Sequence, residues 1–211
     1  MTTFGQIRRD PQKGKNGFSK LKGFTLIELM VVIAVGAIIT MFALPSYRML
    51  IEKRQVTSGA EQIGAFLSSA QMESVKHSQF VAVKYQPTVT GWCMGMRADD
   101  NVSVTCDCSP DVTDVNDVLA CVVDGAFRIF NSSSLNYPEV LRSANVGGDD
   151  KTIVYDSVRG LIQNSETVKL ELVSDGDNYA LDVEVSVTGR VKICSNKSAN
   201  KDVPGYEECS V

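Results

Sequence analysis

A long apolar run near the N-terminus constrains the fold of this chain more than any other feature. It extends from Phe24 to Leu44, just before Pro45, and its 21 residues include a single charged side chain, Glu28. As a helix, the run would be about 30 Å long, which matches the hydrocarbon thickness of a bilayer. It is too long for the apolar part of a secretory signal peptide, and no small-residue cleavage site follows it. The run therefore predicts a membrane-spanning helix over residues 24–45.

Glu28 is energetically unfavourable in such a helix. A lone carboxylate costs roughly 3 kcal/mol at the bilayer centre and less near an end. We therefore expect Glu28 to have a function and to pair with a cation. Cleavage after Gly23 would give Phe24 a new α-amino group, and that cation could neutralise Glu28 of a neighbouring subunit. Pairing within one chain, across one helical turn, is an alternative. So is an ordinary single-pass anchor that tolerates the carboxylate.

The segment Lys22-Gly23-Phe24-Thr25-Leu26-Ile27-Glu28 resembles the prepilin processing motif of type IV pilins and type II secretion pseudopilins. The resemblance implies cleavage between Gly23 and Phe24 by prepilin peptidase and N-methylation of Phe24. It also implies that Glu28 aligns each subunit with the next during assembly. The implied partners are the major pilin, other minor pilins or pseudopilins, the peptidase and an inner-membrane assembly platform.

The residues before the run, 1–23, are interpreted as a leader peptide and excluded from the fold. They contain six basic residues and one acidic residue, so the leader stays cytoplasmic and the rest of the chain is exported. The whole chain has 21 Lys and Arg and 25 Asp and Glu, which leaves the mature chain with 15 and 24, a net charge of −9. We therefore expect a bacterial inner-membrane protein with a periplasmic C-terminal domain. Its negative field restricts any nucleic-acid contact to a local basic patch.

All six cysteines follow the apolar run, and an even count in an exported domain predicts disulfides. Sequence proximity favours Cys194 with Cys209 and leaves three pairings open for the other four. A zinc site is the weaker alternative, because the spacing of Cys106 and Cys108 is shorter than the usual ligand gap. The predicted disulfide residues are Cys93, Cys106, Cys108, Cys121, Cys194 and Cys209.

Beyond Pro45 the pattern predicts an amphipathic continuation of the helix over residues 46–78, with apolar residues spaced by three and four. The interior face should hold Ala60, Ile63, Phe66, Leu67, Ala70 and Ser74. From Phe80 the period changes to two, which predicts a β-rich globular domain over residues 79–211. In the strand predicted at Tyr179–Val187, residues alternate between an apolar and a polar face, so we expect one solvated side. The fold class is α+β: a long N-terminal helix packs its second half on antiparallel sheets, as in the pilin fold.

A second resemblance covers the C-terminal third. Ser157-Val158-Arg159-Gly160, followed by the stretch from Val187 to Cys194, resembles the signature of the GspH/FimT (FimU-like) group of minor pilins and pseudopilins. In some members a Gly-Arg-x-Arg stretch contributes to DNA uptake. Here Gly189, Arg190 and Lys192 match it, with Lys replacing the last Arg. Arg190 and Lys192 are therefore predicted DNA contacts, and a solvated strand face is the alternative.

The sequence contains no serine-hydrolase elbow, glycine-rich phosphate loop or HExxH motif, so we predict no catalytic residue, metal or cofactor, and no enzyme. The leading hypothesis is a minor pilin that helps initiate or cap a type IV pilus. The alternatives are a minor pseudopilin of a type II secretion system and a DNA-contacting pilus subunit for natural transformation. A membrane-anchored periplasmic enzyme is the remaining alternative.

Overall fold

A computed structural model describes residues 23–88, 91–109, 111–134, 141–145, 151–163, 166–174, 176–196 and 201–209. The predicted leader therefore lies outside the described residues except for Gly23. The chain divides into two units, residues 1–43 and 44–211.

In the first unit the described residues form the beginning of helix α1, Leu26–His77. Thr25 caps this helix, because its hydroxyl oxygen accepts a hydrogen bond from the backbone N–H of Glu28 at 3.3 Å. The apolar side chains that follow are exposed, among them Leu29 and Ile33. Among the residues that the structure describes, no helix combines the length and apolar composition needed to cross a membrane.

In the second unit, one face of α1 is buried against the sheets. Val56 lies on this face together with five of the six residues predicted for it, namely Ala60, Ile63, Leu67, Ala70 and Ser74, all fully buried. The sixth, Phe66, is partly buried and stacks on Phe130 with ring centroids 5.8 Å apart. The spacing of three and four therefore identified the packed face correctly, and α1 ends where the prediction placed its last turn.

The named strands pair in antiparallel fashion. The first sheet has the strand order β5-β2-β1-β7, the second β10-β9-β8-β6, and β3 pairs with β4 alone. The strands are β1 Phe80–Thr88, β2 Gly91–Asp99, β3 Val122–Val123, β4 Ala126–Phe127, β5 Ile129–Asn131, β6 Leu141–Asn145, β7 Lys151–Tyr155, β8 Val168–Val173, β9 Ala180–Val185 and β10 Val191–Ser195. Their inner faces form one core with α1, so the expected α+β fold is confirmed.

Strand β9 corrects one expectation. Its polar face was predicted to be solvated, but every residue of Ala180–Val185 is buried, and Asp182 and Glu184 are only 8% and 6% exposed. The reason is position: β9 is flanked on both sides, by β8 and by β10. Long side chains on those neighbours, such as Lys169 opposite Glu184, cover the polar face. Alternation of residues identified the two faces, but it could not reveal that both are covered.

Candidate assembly and binding sites

The predicted processing segment, Gly23 to Glu28, is exposed. The side chain of Phe24 is 80% exposed, and nothing lies within 4 Å of a Cβ placed on Gly23. The helix begins two residues later, so the Gly23–Phe24 peptide bond lies outside the helical hydrogen-bond ladder. A protease could therefore reach this bond without unwinding the helix.

The two parts of the C-terminal signature, Ser157–Gly160 and the turn around Gly189, meet in space although about 30 residues separate them. The backbone N–H of Ile162 donates to the carbonyl oxygen of Val187 at 3.2 Å. The side-chain amide of Gln71, on α1, donates to the carbonyl oxygens of Gly160 at 3.0 Å and of Thr188 at 3.4 Å. The helix thus fixes both turns through one side chain.

Two glycines allow these turns to pack so closely. Both have left-handed backbone conformations, with φ of +63° at Gly160 and +78° at Gly189. A Cβ on Gly189 would overlap the carbonyl oxygen of Gly160 and the amide of Gln71. Sequence reasoning marked both glycines as part of a signature but missed Gln71. A glutamine on a helix carries no signal that it binds two distant turns.

Arg190 and Lys192, the predicted DNA contacts, lie near the outer face of the second sheet. They border an open cavity of about 610 Å³ that also contacts Lys169, Glu184 and Glu207. Lys192 forms an ion pair with Glu207 at 3.3 Å, and Lys169 forms one with Glu184 at 2.8 Å. This face therefore carries charges of both signs, and Arg190 is its exposed basic residue at the tight turn.

Asp182 is the unusual carboxyl group on this face. Burial raises the pKa of Asp182 to about 6, and the nearby carboxylate of Glu171 adds to the effect. Among the described residues its Oδ1 atom has no hydrogen-bond partner. Burial favours the protonated form of a carboxyl group, so the charge of Asp182 should change with pH around 6.

The structure joins the six cysteines in three disulfides: Cys93–Cys108, Cys106–Cys121 and Cys194–Cys209. The last is the pair that sequence proximity favours, and the first two select one of the three open pairings. Among the described residues, one group of metal-ligand types does come together, Asp182, Glu184, Cys194 and Cys209. Because its two cysteines are bonded to each other, they offer no thiolate to a metal.

Removal of the C-terminal disulfide is expected to cost about 3 kcal/mol of unfolding free energy, because the bond closes a 15-residue loop. The double variant Cys194→Ser/Cys209→Ser should therefore unfold at a lower guanidinium concentration in detergent, followed by the fluorescence of Trp92, the single tryptophan. Non-reducing peptide mapping of the wild type should find Cys194 bonded to Cys209. A bond from Cys194 to any of the other four cysteines would contradict this connectivity.

Comparison with known proteins gives two matches that together cover most of the chain. The prokaryotic N-terminal methylation motif matches residues 14–44, and the family described as type II transport protein GspH matches residues 59–189. The chain belongs to the GspH family. It is accordingly a pilin-type subunit, and the family and the relatives below are structural proteins. The methylation motif and the family indicate a membrane-anchored precursor that is incorporated into a pilus or pseudopilus.

Curated relatives match over short stretches. A fimbrial protein of Pseudomonas aeruginosa is 34% identical over 61 residues, which is 29% of this chain and 40% of that protein. The type IV major fimbrial protein FimA of Dichelobacter nodosus is 53% identical over 38 residues, 18% of this chain and 24% of its own length. The type IV major alpha-pilin of Moraxella bovis is 50% identical over 44 residues, 21% and 28%. The chain thus spans well under half the length of these relatives, and no solved structure matches it.

Proposed function

We propose that this GspH-family chain is a minor pilin that helps initiate or cap assembly of a type IV pilus. The observation that carries the proposal is the combination of a methylation motif at 14–44 with a GspH region at 59–189 in a single chain. The curated relatives, several of them named as major fimbrial proteins, match less than half of their own length. Their similarity therefore supports a shared fibre-building segment rather than the role of a major subunit.

Processing and topology belong to the same proposal. Prepilin peptidase removes residues 1–23, and the new N-terminus at Phe24 is methylated. Residues 24–45 then anchor the subunit in the bacterial inner membrane, while residues 46–78 and 79–211 lie in the periplasm until assembly. Support comes from the basic leader, the apolar run and the exposed Gly23–Phe24 bond.

Glu28→Gln is expected to lower incorporation of the subunit into fibres about tenfold, while membrane insertion and leader cleavage remain near the wild-type level. When helices bundle and exclude water, the Glu28 carboxylate needs a cation, and the amine of Phe24 on an adjacent subunit supplies it. Immunoblots of sheared fibres would measure incorporation, and immunoblots of membranes would measure insertion and, from the size of the band, leader cleavage. Glu61→Gln, an exposed carboxylate on the second half of the same helix, is the matched control. Wild-type incorporation of the Glu28→Gln protein would contradict the pairing.

A minor pseudopilin of a type II secretion system is the second candidate, favoured by the description of the matched family as a type II transport protein. A strain that lacks the gene would distinguish a pilus subunit from a pseudopilus subunit. The pilus proposal expects loss of surface pili and twitching with normal secretion of exoproteins, restored by the wild-type gene. Defective secretion with normal piliation would instead favour the pseudopilus.

DNA contact through Arg190 and Lys192 remains a prediction that the same strain can test. The ion pair between Lys192 and Glu207 partly neutralises the basic pair, which argues for a weak contact. In the minor-pilin proposal these two residues are not needed for DNA uptake. An Arg190→Ala/Lys192→Ala variant should therefore restore both piliation and DNA uptake to the deletion strain. Restored piliation with uptake still lost would assign DNA contact to these residues.

A further inference from the structure

Four of the cysteines are bonded in a crossed order. They follow one another in the sequence as Cys93, Cys106, Cys108 and Cys121, and the structure bonds the first to the third and the second to the fourth. Each of these bonds has a sequence separation of 15. In the uncrossed arrangement, Cys93–Cys106 with Cys108–Cys121, each separation is 13. Because loop-closure entropy changes slowly with length, the unfolded chain has almost no preference between the two arrangements.

The order of export favours the uncrossed arrangement. The chain enters the periplasm from its N-terminal side, so Cys93 and Cys106 arrive before Cys108 and Cys121. A periplasmic oxidase carries a disulfide that accepts two electrons and two protons from each pair of thiols it oxidises. It therefore bonds Cys93 to Cys106 in at least part of the chains. This step rests on the export that the proposed function requires.

The folded domain holds Cys108, and not Cys106, beside Cys93. Gln86 on β1 lies directly opposite Cys93 on β2 in the strand register. Its side-chain oxygen accepts a hydrogen bond from the backbone N–H of Cys108 at 2.9 Å. The Gln86 side chain thus ties the backbone of Cys108 to the strand pair that carries Cys93.

A second backbone contact places Cys106 beside Cys121. Asp107, the residue after Cys106, pairs with Ala120 in a parallel bridge. Its backbone N–H donates to the carbonyl oxygen of Leu119 at 2.7 Å. The folded backbone therefore specifies the crossed pairs, whereas chain entropy and the order of export do not.

The chain has no means of correcting an uncrossed pair after oxidation. The four cysteines are at most 4% exposed in the folded domain, and Ile129 packs against them, so exchange has to precede folding. All six cysteines of the chain form disulfides, so after oxidation none supplies the thiolate that begins an exchange. The thiolate has to come from another protein.

We propose that the exported chain is a substrate of a periplasmic thiol–disulfide isomerase, and that Gln86 selects Cys108 rather than Cys106 as the partner of Cys93. The isomerase thiolate attacks the Cys93–Cys106 bond, forms a mixed disulfide with Cys106 and releases the Cys93 thiolate. The Cys93 thiolate attacks Cys108 and releases the Cys121 thiolate. Cys121 then attacks the mixed disulfide at Cys106 and releases the isomerase thiolate. The chain begins and ends with the same number of disulfides, so the exchange consumes no oxidant or reductant.

Disulfide mapping of the full-length chain in two bacterial strains tests this proposal. Both strains contain the periplasmic oxidase, and one lacks the isomerase. After free thiols are alkylated, a protease that cuts before Asp107 separates Cys106 from Cys108, so mass spectrometry identifies the partner of Cys93. Without isomerase, the Cys93–Cys108 bond should fall at least about twofold and Cys93–Cys106 should replace it, because the unfolded chain prefers neither partner. Equal amounts of Cys93–Cys108 in the two strains would overturn the proposal.

Isomerase supplied from a plasmid distinguishes thiol exchange from simple chaperoning. The active isomerase should restore the Cys93–Cys108 bond, and a variant in which alanine replaces its active-site cysteines should not. Equal restoration by both would show that no exchange takes place and would overturn the proposal.

The Cys194–Cys209 bond is a control within the same molecule. These two cysteines are consecutive in the sequence, so their bond needs no exchange and should form equally in both strains. Its presence, with equal pairing of the other four cysteines in both strains, overturns this inference and leaves the proposed export intact. Six reduced cysteines in both strains would overturn the export as well.

Substitutions at Gln86 test the selection of Cys108. In the strain with isomerase, Gln86→Ala should raise the ratio of Cys93–Cys106 to Cys93–Cys108 about fivefold, because a buried hydrogen bond is lost. Gln86→Glu keeps the accepting oxygen and should keep the wild-type ratio. Gln79→Ala is the matched control, because the Gln79 amide donates to Asp100 and not to a cysteine. A ratio that Gln86→Ala leaves unchanged would overturn the role of Gln86.

Discussion

Gly189→Ala is expected to lower the free energy of unfolding by about 3 kcal/mol. Part of the loss, roughly 1 kcal/mol, comes from forcing a left-handed backbone conformation on alanine. The rest comes from the new Cβ, which would overlap the carbonyl oxygen of Gly160 and the amide of Gln71. Guanidinium denaturation of the full chain in detergent, followed by the fluorescence of Trp92, would measure the difference.

Gly125 supplies the matched control for this prediction. Its φ of +71° is close to that of Gly189, but nothing lies within 4 Å of a Cβ at this position. Gly125→Ala should therefore cost only the conformational part, about 1 kcal/mol. Equal losses for the two variants would show that the close packing of the two turns adds nothing to stability.

Asp182→Asn is expected to remove a pH dependence of about 2–3 kcal/mol from the stability of the folded chain. The folded pKa of Asp182, about 6, lies above its ordinary value of 3.8. The folded state therefore binds this proton more tightly than the unfolded state. The resulting stability is complete below about pH 4 and is lost as the pH rises through 6. The variant cannot titrate, and its amide resembles the protonated carboxyl group. Wild type and variant should therefore have similar stability at pH 4, and the variant should be more stable by about 2–3 kcal/mol at pH 7.

Unfolding curves at pH 4, 5, 6, 7 and 8 would test the predicted direction of this pH dependence. Asp111→Asn, in an exposed loop, should keep the wild-type profile within about 0.5 kcal/mol. A difference between wild type and Asp182→Asn that stays constant from pH 4 to pH 8 would contradict the account of this buried carboxyl group.

Local patterns predicted the elements of this fold better than they predicted its contacts. The buried face of α1 followed from residue spacing, and the change of period at Phe80 marked the first residue of β1, because burial on one face imposes a period on the sequence. Strand β7 pairs with β1 although more than 60 residues separate them. No local pattern encodes such a pairing, since it depends on which surfaces remain uncovered after the helix and the hairpin pack.

Some candidate sites consist of a local sequence motif, whereas others depend on contacts that only the fold creates. The predicted processing segment is a continuous motif, so its residues can be proposed from the sequence alone. The double turn at Gly160 and Gly189 depends on Gln71, whose two hydrogen bonds reach 89 and 117 residues along the chain. The crossed pairing of Cys93 with Cys108 and Cys106 with Cys121 also depends on the fold, because all three arrangements of these four cysteines join residues close in sequence.

The central claim is that this chain is processed as a prepilin and assembled into a fibre. Mass spectrometry of the N-terminal peptide of the chain recovered from sheared fibres tests it most directly. The peptide should begin at Phe24 and carry one added methyl group on its amine. A chain that retains residues 1–23 in a host with active prepilin peptidase, or that is absent from the fibres, would contradict it.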